Sequence, residues 1–222
     1  MSISNYDAIV VGTGGVGSAA LDQLATRGRR VLGLDRFPPG HDRGSSHGQT
    51  RIIRQAYYEH PDYVPLVLRA YELWHELEAR RGRTFFHNVG LLQVGRSDGR
   101  LVSGVLASAR QHNLDVQTLS PQETAQRFPG FQAAPDTIGV FERVAGYLDV
   151  EACTIAHAEE AQARGAELHV GEEVRGWRPA GCGVEVETDR GRYHAGALIV
   201  TAGALAGSLL APLPFSRLVT LL

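Results

Sequence analysis

The sequence predicts an α/β protein in which a parallel-sheet domain is interrupted by a mixed α+β lobe. Three observations carry that prediction. An apolar run, Ala8 to Val11, leads directly into glycines at 12, 14 and 17. A second apolar run begins at Arg30 and ends in Asp35. Much later, Ala197 to Val200 repeats the buried-strand pattern and stops in Thr201-Ala202-Gly203.

The glycines spell Gly-x-Gly-x-x-Gly between a strand and a helix, the context in which this motif binds dinucleotides. Gly12 allows the tight turn, Gly14 lets the backbone approach a pyrophosphate, and Gly17 lets the helix pack on the strand. The helix, expected from Gly15 to Arg27, aims the amides of Gly15, Val16 and Gly17 at that pyrophosphate. Asp35 stands at the distance expected for holding ribose hydroxyls, with Arg36 beside it. An acid there favours FAD or NAD over NADP. The competing reading is a strand–turn–helix with no nucleotide. Ala202 and Gly203 close a second strand end that offers bare backbone to a ligand. The first domain is therefore expected to be Rossmann-like.

Composition narrows the class. The 222 residues are 43% hydrophobic and 21% charged, ordinary for a globular protein able to bury a core. Net charge is −2, so no nucleic-acid or anionic-membrane partner is expected. Cys153 and Cys182 lie far apart, in no metal-like spacing, which suits a reducing compartment. No apolar run reaches the roughly 18 residues of a membrane span. No signal peptide is visible at the N-terminus. A cytoplasmic location is expected.

Residues 36 to 50 are rich in Gly, Pro and Ser and lack apolar periodicity; such long loops are often functional. From Asp62 to Arg81, apolar residues recur at helical spacing, with Asp62 as N-cap and Pro65 in the first turn. The following lobe shows strands at Leu91–Val94 and Thr137–Phe141, with helices near Leu101–Gln111 and Pro121–Phe128. Val150–Arg164 reads as a helix, and Glu167–Val170 and Glu173–Trp177 as strands. Gly183–Thr188 forms a hairpin through Asp189–Gly191 with Tyr193 and His194. Arg217–Leu222 reads as the start of a strand, so the chain is expected to be truncated. The expected division is 1–84 with 149–222 for the nucleotide domain, and 85–148 for the first part of a substrate lobe.

Four features together resemble the family of monomeric sarcosine oxidase and N-methyl-L-tryptophan oxidase, among the D-amino-acid-oxidase-like flavoproteins. They are the glycine turn with Asp35 and the run from Gly44 through Ser45, Ser46, His47 and Thr50-Arg51-Ile52-Ile53-Arg54 to Tyr57. The others are Tyr63 to Trp74, and Val200 to Ala204. The second is the most specific.

The resemblance implies an FAD-dependent oxidase of secondary amines, typically N-methyl amino acids. It uses O2 and yields hydrogen peroxide, an aldehyde and a primary amine. It also implies a mostly monomeric protein with a small-molecule amino acid substrate. Arg54 matches the arginine that clamps the substrate carboxylate, consistent with the bidentate fork of a guanidinium. Arg51 matches an arginine close to the flavin ring, where positive charge favours the anionic reduced form. Ser45 and Thr50 match contacts to FAD, and Val174 a main-chain contact near the adenine. The competing reading of Arg51 and Arg54 is a surface pair on a short helix, salt-bridged to Glu59.

His47 lacks partners at metal-ligand spacing, so no metal site is expected. Ser45 and Ser46 lie outside any Gly-x-Ser-x-Gly elbow. Gln49 and Gln55 stand where the family often has Asp and His. The cysteine that links the flavin, two lysines and the closing strands of the flavin domain fall later in the family, and neither cysteine here matches the linking one. An NAD-linked dehydrogenase, or a fragment that only folds and assembles, are the alternatives.

Overall fold

The structure, a computed structural model, describes residues 5–211. In chain order, β1 (Asn5–Val11) leads into α1 (Gly15–Thr26) and β2 (Val31–Asp35). Residues 36–49 form no helix or strand. Then come β3 (Thr50–Ile53), α2 (Tyr63–Arg81), β4 (Phe86–Asn88) and β5 (Leu91–Arg96). They are followed by α3 (Arg100–His112), β6 (Val116–Leu119), α4 (Pro121–Arg127), β7 (Thr137–Glu142) and β8 (Gly146–Asp149). The chain continues with α5 (Val150–Ala163), β9 (Glu167–Val170), β10 (Val174–Ala180) and β11 (Gly183–Thr188). It closes with β12 (Arg192–Val200), a 3-10 turn at Gly203–Leu205 and α6 (Ala206–Leu210). The strand expected at 217–222 lies outside the described residues.

The chain divides into two compact units, 1–50 with 150–222 and 51–149. The sequence-based division put residues 51–84 with the nucleotide domain. They group with the second unit because α2 docks there. The Glu78 carboxylate accepts the amides of Phe85 and Phe86 at 2.7 and 2.8 Å, and Tyr71 meets the Phe86 ring edge-on.

In the first unit, a six-stranded sheet runs β10-β11-β12-β1-β2-β9. β12, β1, β2 and β9 run parallel, with β1 and β2 joined by the helical crossover α1 that a parallel pair needs. β10, β11 and β12 form an antiparallel meander. Sequence reading split the last strand into a hairpin arm and a separate buried strand. It is one strand: residues 192–195 pair with β11 and residues 194–200 with β1.

Ala8, Val10 and Val31 bury one face of this sheet with Leu21 and Ala25 of α1 and Ala161 of α5. Ile9, Val11, Leu32, Leu34, Val184 and Val186 form a core cluster on the other. Between α1 and α5 lies a buried polar seam. Asp22, fully buried, meets His157 Nδ1 at 2.9 Å and Arg164 at 3.4 Å, and Arg164 reaches Glu160 at 2.7 Å. A buried carboxylate is tolerated only when paired in this way.

The second unit holds two three-stranded sheets, β3-β8-β4 and β5-β7-β6. Ala56, Val102 and Val105 pack on Val140 of β7. α4 begins in a capping box, Ser120 with Glu123. Asp62 occupies the N-cap of α2 but makes no side-chain cap bond, because its backbone is already helical at φ −65°.

Candidate cofactor and substrate sites

The glycine turn is held from three directions within the first unit. Gly12 has φ +88° and donates its N–H to Leu34 O at 2.9 Å. A Cβ on Gly12 would stand 2.7 Å from Ala202 Cα, closer than such atoms approach. A Cβ on Gly17 would overlap the Gly12 carbonyl oxygen and lie 2.6 Å from Thr201 Oγ1. Thr201, at the exit of β12, donates its amide to Val11 O at 2.8 Å and its hydroxyl to Gly12 O at 2.6 Å. Ala202 therefore lies against the turn, and Gly203 opens the 3-10 turn at φ +54°.

Asp35 grips the turn from the second strand. Its Oδ2 accepts Thr13 N at 2.6 Å and Thr13 Oγ1 at 3.1 Å, while Oδ1 accepts Phe37 N at 3.0 Å. Three accepted bonds leave about one lone-pair site of the carboxylate for another partner. Asp35 O also accepts Glu172 N at 3.0 Å, and Arg36 pairs with Glu173 at 3.0 Å. These contacts bring the start of β10, with Val174, beside the end of β2. Glu172 is buried and accepts the Thr188 hydroxyl at 2.6 Å. Burial, and then Glu172, pushes the nearby Tyr193 hydroxyl up to about 12.

The loop after β2 folds back over the mouth of the turn. Gly15, the first residue of α1, donates its N–H to Ser46 Oγ at 2.9 Å. The resemblance assigns Ser45, exposed here, to FAD; the contact to the turn itself comes from its neighbour Ser46. Thr201 was passed over as well. A hydroxyl at a strand end beside Ala-Gly was the available signal. Val16 is 74% exposed at the same helix start. Further on, Gly48 at φ +92° donates to Glu151 Oε1 at 3.0 Å, and Gln49 adopts a left-handed φ of 58°. The Gln49 carbonyl accepts Val150 N at 3.1 Å, which tethers the approach to the exposed Thr50.

Arg51 and Arg54 belong to the second unit. They lie on and just after strand β3, not on a short helix. Arg51 is exposed. The Arg54 side chain is 18% exposed and donates through one terminal nitrogen to both Glu59 oxygens, at 2.9 and 3.1 Å. Its guanidinium stacks over Tyr57 at 4.4 Å, with Tyr58 at 5.6 Å. Arg54 Nε is buried with no hydrogen-bond partner among the described residues. Burial, and then the charge of Glu142, pushes the Tyr71 hydroxyl well above its ordinary value. Among the described residues no group of three or more His, Cys, Asp or Glu could hold a metal. No helix among them is long and apolar enough to cross a membrane.

Comparison with known proteins agrees with this geometry. Residues 7–221 match the model of the family described as FAD dependent oxidoreductase. The chain is 46% identical over 213 residues to a monomeric sarcosine oxidase of Streptomyces avermitilis, covering 95% of this chain and 56% of that protein. It is 38% identical over 210 residues to an N-methyl-L-tryptophan oxidase of Yersinia pestis, covering 95% and 57%. Among solved structures, NikD, an unusual amino acid oxidase essential for nikkomycin biosynthesis, superposes with a TM-score of 0.84 at 35% identity, covering 95% of this chain and 54% of that one. A glycine oxidase from Geobacillus kaustophilus shares the fold, with a TM-score of 0.79 at 24% identity, covering 93% and 58%. The chain thus spans little more than half the length of the relatives it matches. Its glycine turn, its parallel sheet and a family match running almost end to end place the chain in the FAD dependent oxidoreductase family.

Proposed function

We propose that the chain is the flavin-binding portion of an FAD-dependent oxidase of secondary amines that carry a carboxylate, N-methyl amino acids being the class that fits. The observation that supports this most is the Cβ-free glycine turn of the first unit; independently, the second unit carries Arg54 with its guanidinium braced on Tyr57. Gly12 and Gly17 let the turn close tightly against Ala202 and its own carbonyl where a side chain would clash, and the N-terminal amides of α1 suit a pyrophosphate. FAD, when bound, would supply the redox chemistry for oxidising the carbon next to nitrogen, with O2 as the terminal acceptor and hydrogen peroxide as the by-product.

The chain's own residues do the positioning. Gly14, Gly15, Val16 and Gly17 hold the pyrophosphate, with Ser46 at hand as a further hydroxyl. Asp35 offers its remaining lone pair to the ribose while fixing the turn. Arg36, Val174, Ala202 and Gly203 line the same strand ends, and Ser45 and Thr50 supply polar contacts from the loop. Arg51 contributes positive charge near the flavin ring. Arg54 receives the substrate carboxylate in place of Glu59, on a guanidinium already braced by Tyr57. The resulting imine hydrolyses to an aldehyde and a primary amine.

The test is to load the chain with FAD and follow the visible spectrum as N-methylglycine and N-methyltryptophan are added. A perturbation or bleaching that saturates, and that R54A abolishes, supports the reading. A flavin spectrum indifferent to every carboxylate-bearing secondary amine overturns it.

A further inference from the structure

We propose that Glu142 is a positioning residue for Arg54: its buried carboxylate gathers the two amides that follow the arginine and thereby sets the direction of the guanidinium. This rests on the reading of Arg54 as the carboxylate clamp. Glu142 ends β7 and is 1% exposed. Its Oε1 accepts Gln55 N at 2.6 Å and its Oε2 accepts Ala56 N at 3.1 Å. Each oxygen therefore takes one of two consecutive amides, a fork that only a carboxylate supplies. An amide in its place would present N–H groups to one of those donors.

The next residues are fastened as well. The Tyr57 amide turns back to Gln55 O at 3.0 Å. The Tyr57 carbonyl accepts the Ser108 hydroxyl from α3. A Cβ on Gly104 would overlap the Tyr58 carbonyl, so α3 lies directly against that backbone. Ala56 is fully buried among Val102, Val105 and Val140. Four successive residues after Arg54 are thus held by groups that lie far away in sequence.

The placement has a chemical purpose beyond holding the fold. A buried ionised carboxylate is costly, and a neutral acceptor would satisfy loop amides at less cost in desolvation. What the carboxylate adds is a strong, two-pronged constraint on the peptide planes next to Arg54. Clamping another carboxylate in a bidentate fork needs the guanidinium plane fixed closely, and misplacement by about 1 Å costs on the order of 100-fold. Glu59 and the Tyr57 ring hold the guanidinium tip. Glu142 holds the root.

The experiment uses the 222-residue chain and its E142Q, E142D, S108A and R54A variants. Calorimetric titration compares N-methylglycine with dimethylamine, the same secondary amine without a carboxylate. The Gln55 and Ala56 amide shifts are followed by NMR. R54A is expected to erase any preference for N-methylglycine. E142Q is expected to weaken N-methylglycine binding roughly tenfold to 100-fold. It should leave dimethylamine binding unchanged and move the two amides upfield, with E142D restoring part of the loss. If E142Q does not fold, S108A, which frees only the Tyr57 carbonyl, is expected to show the same carboxylate-specific loss at smaller size. E142Q, or S108A in its place, that retains N-methylglycine affinity while R54A loses it overturns the inference and leaves the clamp intact. Retention in R54A overturns the clamp reading, and this inference with it. Equal loss of both ligands in a folded E142Q assigns Glu142 a purely structural role and likewise overturns the inference.

Discussion

The glycine turn of the first unit and the arginine segment of the second are fixed by opposite means. At the turn, position is secured mainly by what is missing: Gly12 and Gly17 lack the Cβ that would strike Ala202 or the Gly12 carbonyl. At Arg54–Tyr58, position is secured by what is added from a distance. Glu142, Ser108 and the notch at Gly104 hold the backbone from β7 and α3. A backbone ligand site tolerates no side chain, whereas a side-chain ligand site must have its backbone held. The two also share a device. Asp35, Glu78 and Glu142 each accept two backbone amides near the start of a turn or loop.

Substitutions that cross these two strategies give the clearest contrasts. Gly17→Ala is expected to have the largest effect. No flexible side chain can yield, so the cost is about 3 kcal/mol or more, with FAD retention lost. Denaturant melts and flavin content of the purified chain check it. Normal stability in this variant would mean that the turn is looser than the close approach to Gly12 requires.

Glu78→Gln comes next, at about 1–3 kcal/mol, because Oε1 accepts both the Phe85 and Phe86 amides and a neutral amide oxygen holds two donors more weakly than a carboxylate, while the new NH2 group takes the place of the oxygen that meets His75. The same residue supplies a pH dependence. Burial raises the Glu78 carboxyl, but the Phe86 and Phe85 amides and His75 outweigh it, so its value is lowered overall. A lowered folded value means stability that is present above the ordinary carboxylate range and is lost as pH falls through the folded value. Urea melts at neutral pH and at about pH 3 are expected to show that loss, and E78Q is expected to flatten it.

Gln49→Gly should raise stability by about 0.5–1 kcal/mol, since glycine adopts φ 58° without strain. Calorimetric melting checks the sign. Glu59→Gln is expected to have the smallest effect. Removing a competitor that is itself 36% exposed should tighten binding of a substrate carboxylate at Arg54 by about two- to fivefold. Titration with N-methylglycine reads it.

These two strategies also explain what could be read from the residues alone. The turn was legible because its requirement is written in the residues that meet it, glycine at 12, 14 and 17 with an acid at 35. The helix α1 was legible from the glycine turn before it, α2, α3, α4 and α5 from helical patterns, and the β9 and β11 strands from residues that alternate apolar and polar. The Glu142 seat was not legible, since nothing near Gln55 in the chain points to a carboxylate at 142. β3, β4, β6 and β8 escaped because strands this short are decided by partners more than by their own pattern. The break supposed between His194 and Ala197 is absent, because one strand changes neighbours along its length from antiparallel β11 to parallel β1. The Ser46 contact to the Gly15 amide was not legible, since only the path of the loop decides which hydroxyl reaches it.

The central claim is that the glycine turn holds a flavin, and FAD titration of the 222-residue chain beside its Gly17→Ala variant tests it most directly. Visible flavin bands that saturate in the parent and vanish in the variant are the predicted result. A parent chain that stays colourless with FAD in excess, or a variant that binds FAD equally well, would contradict it.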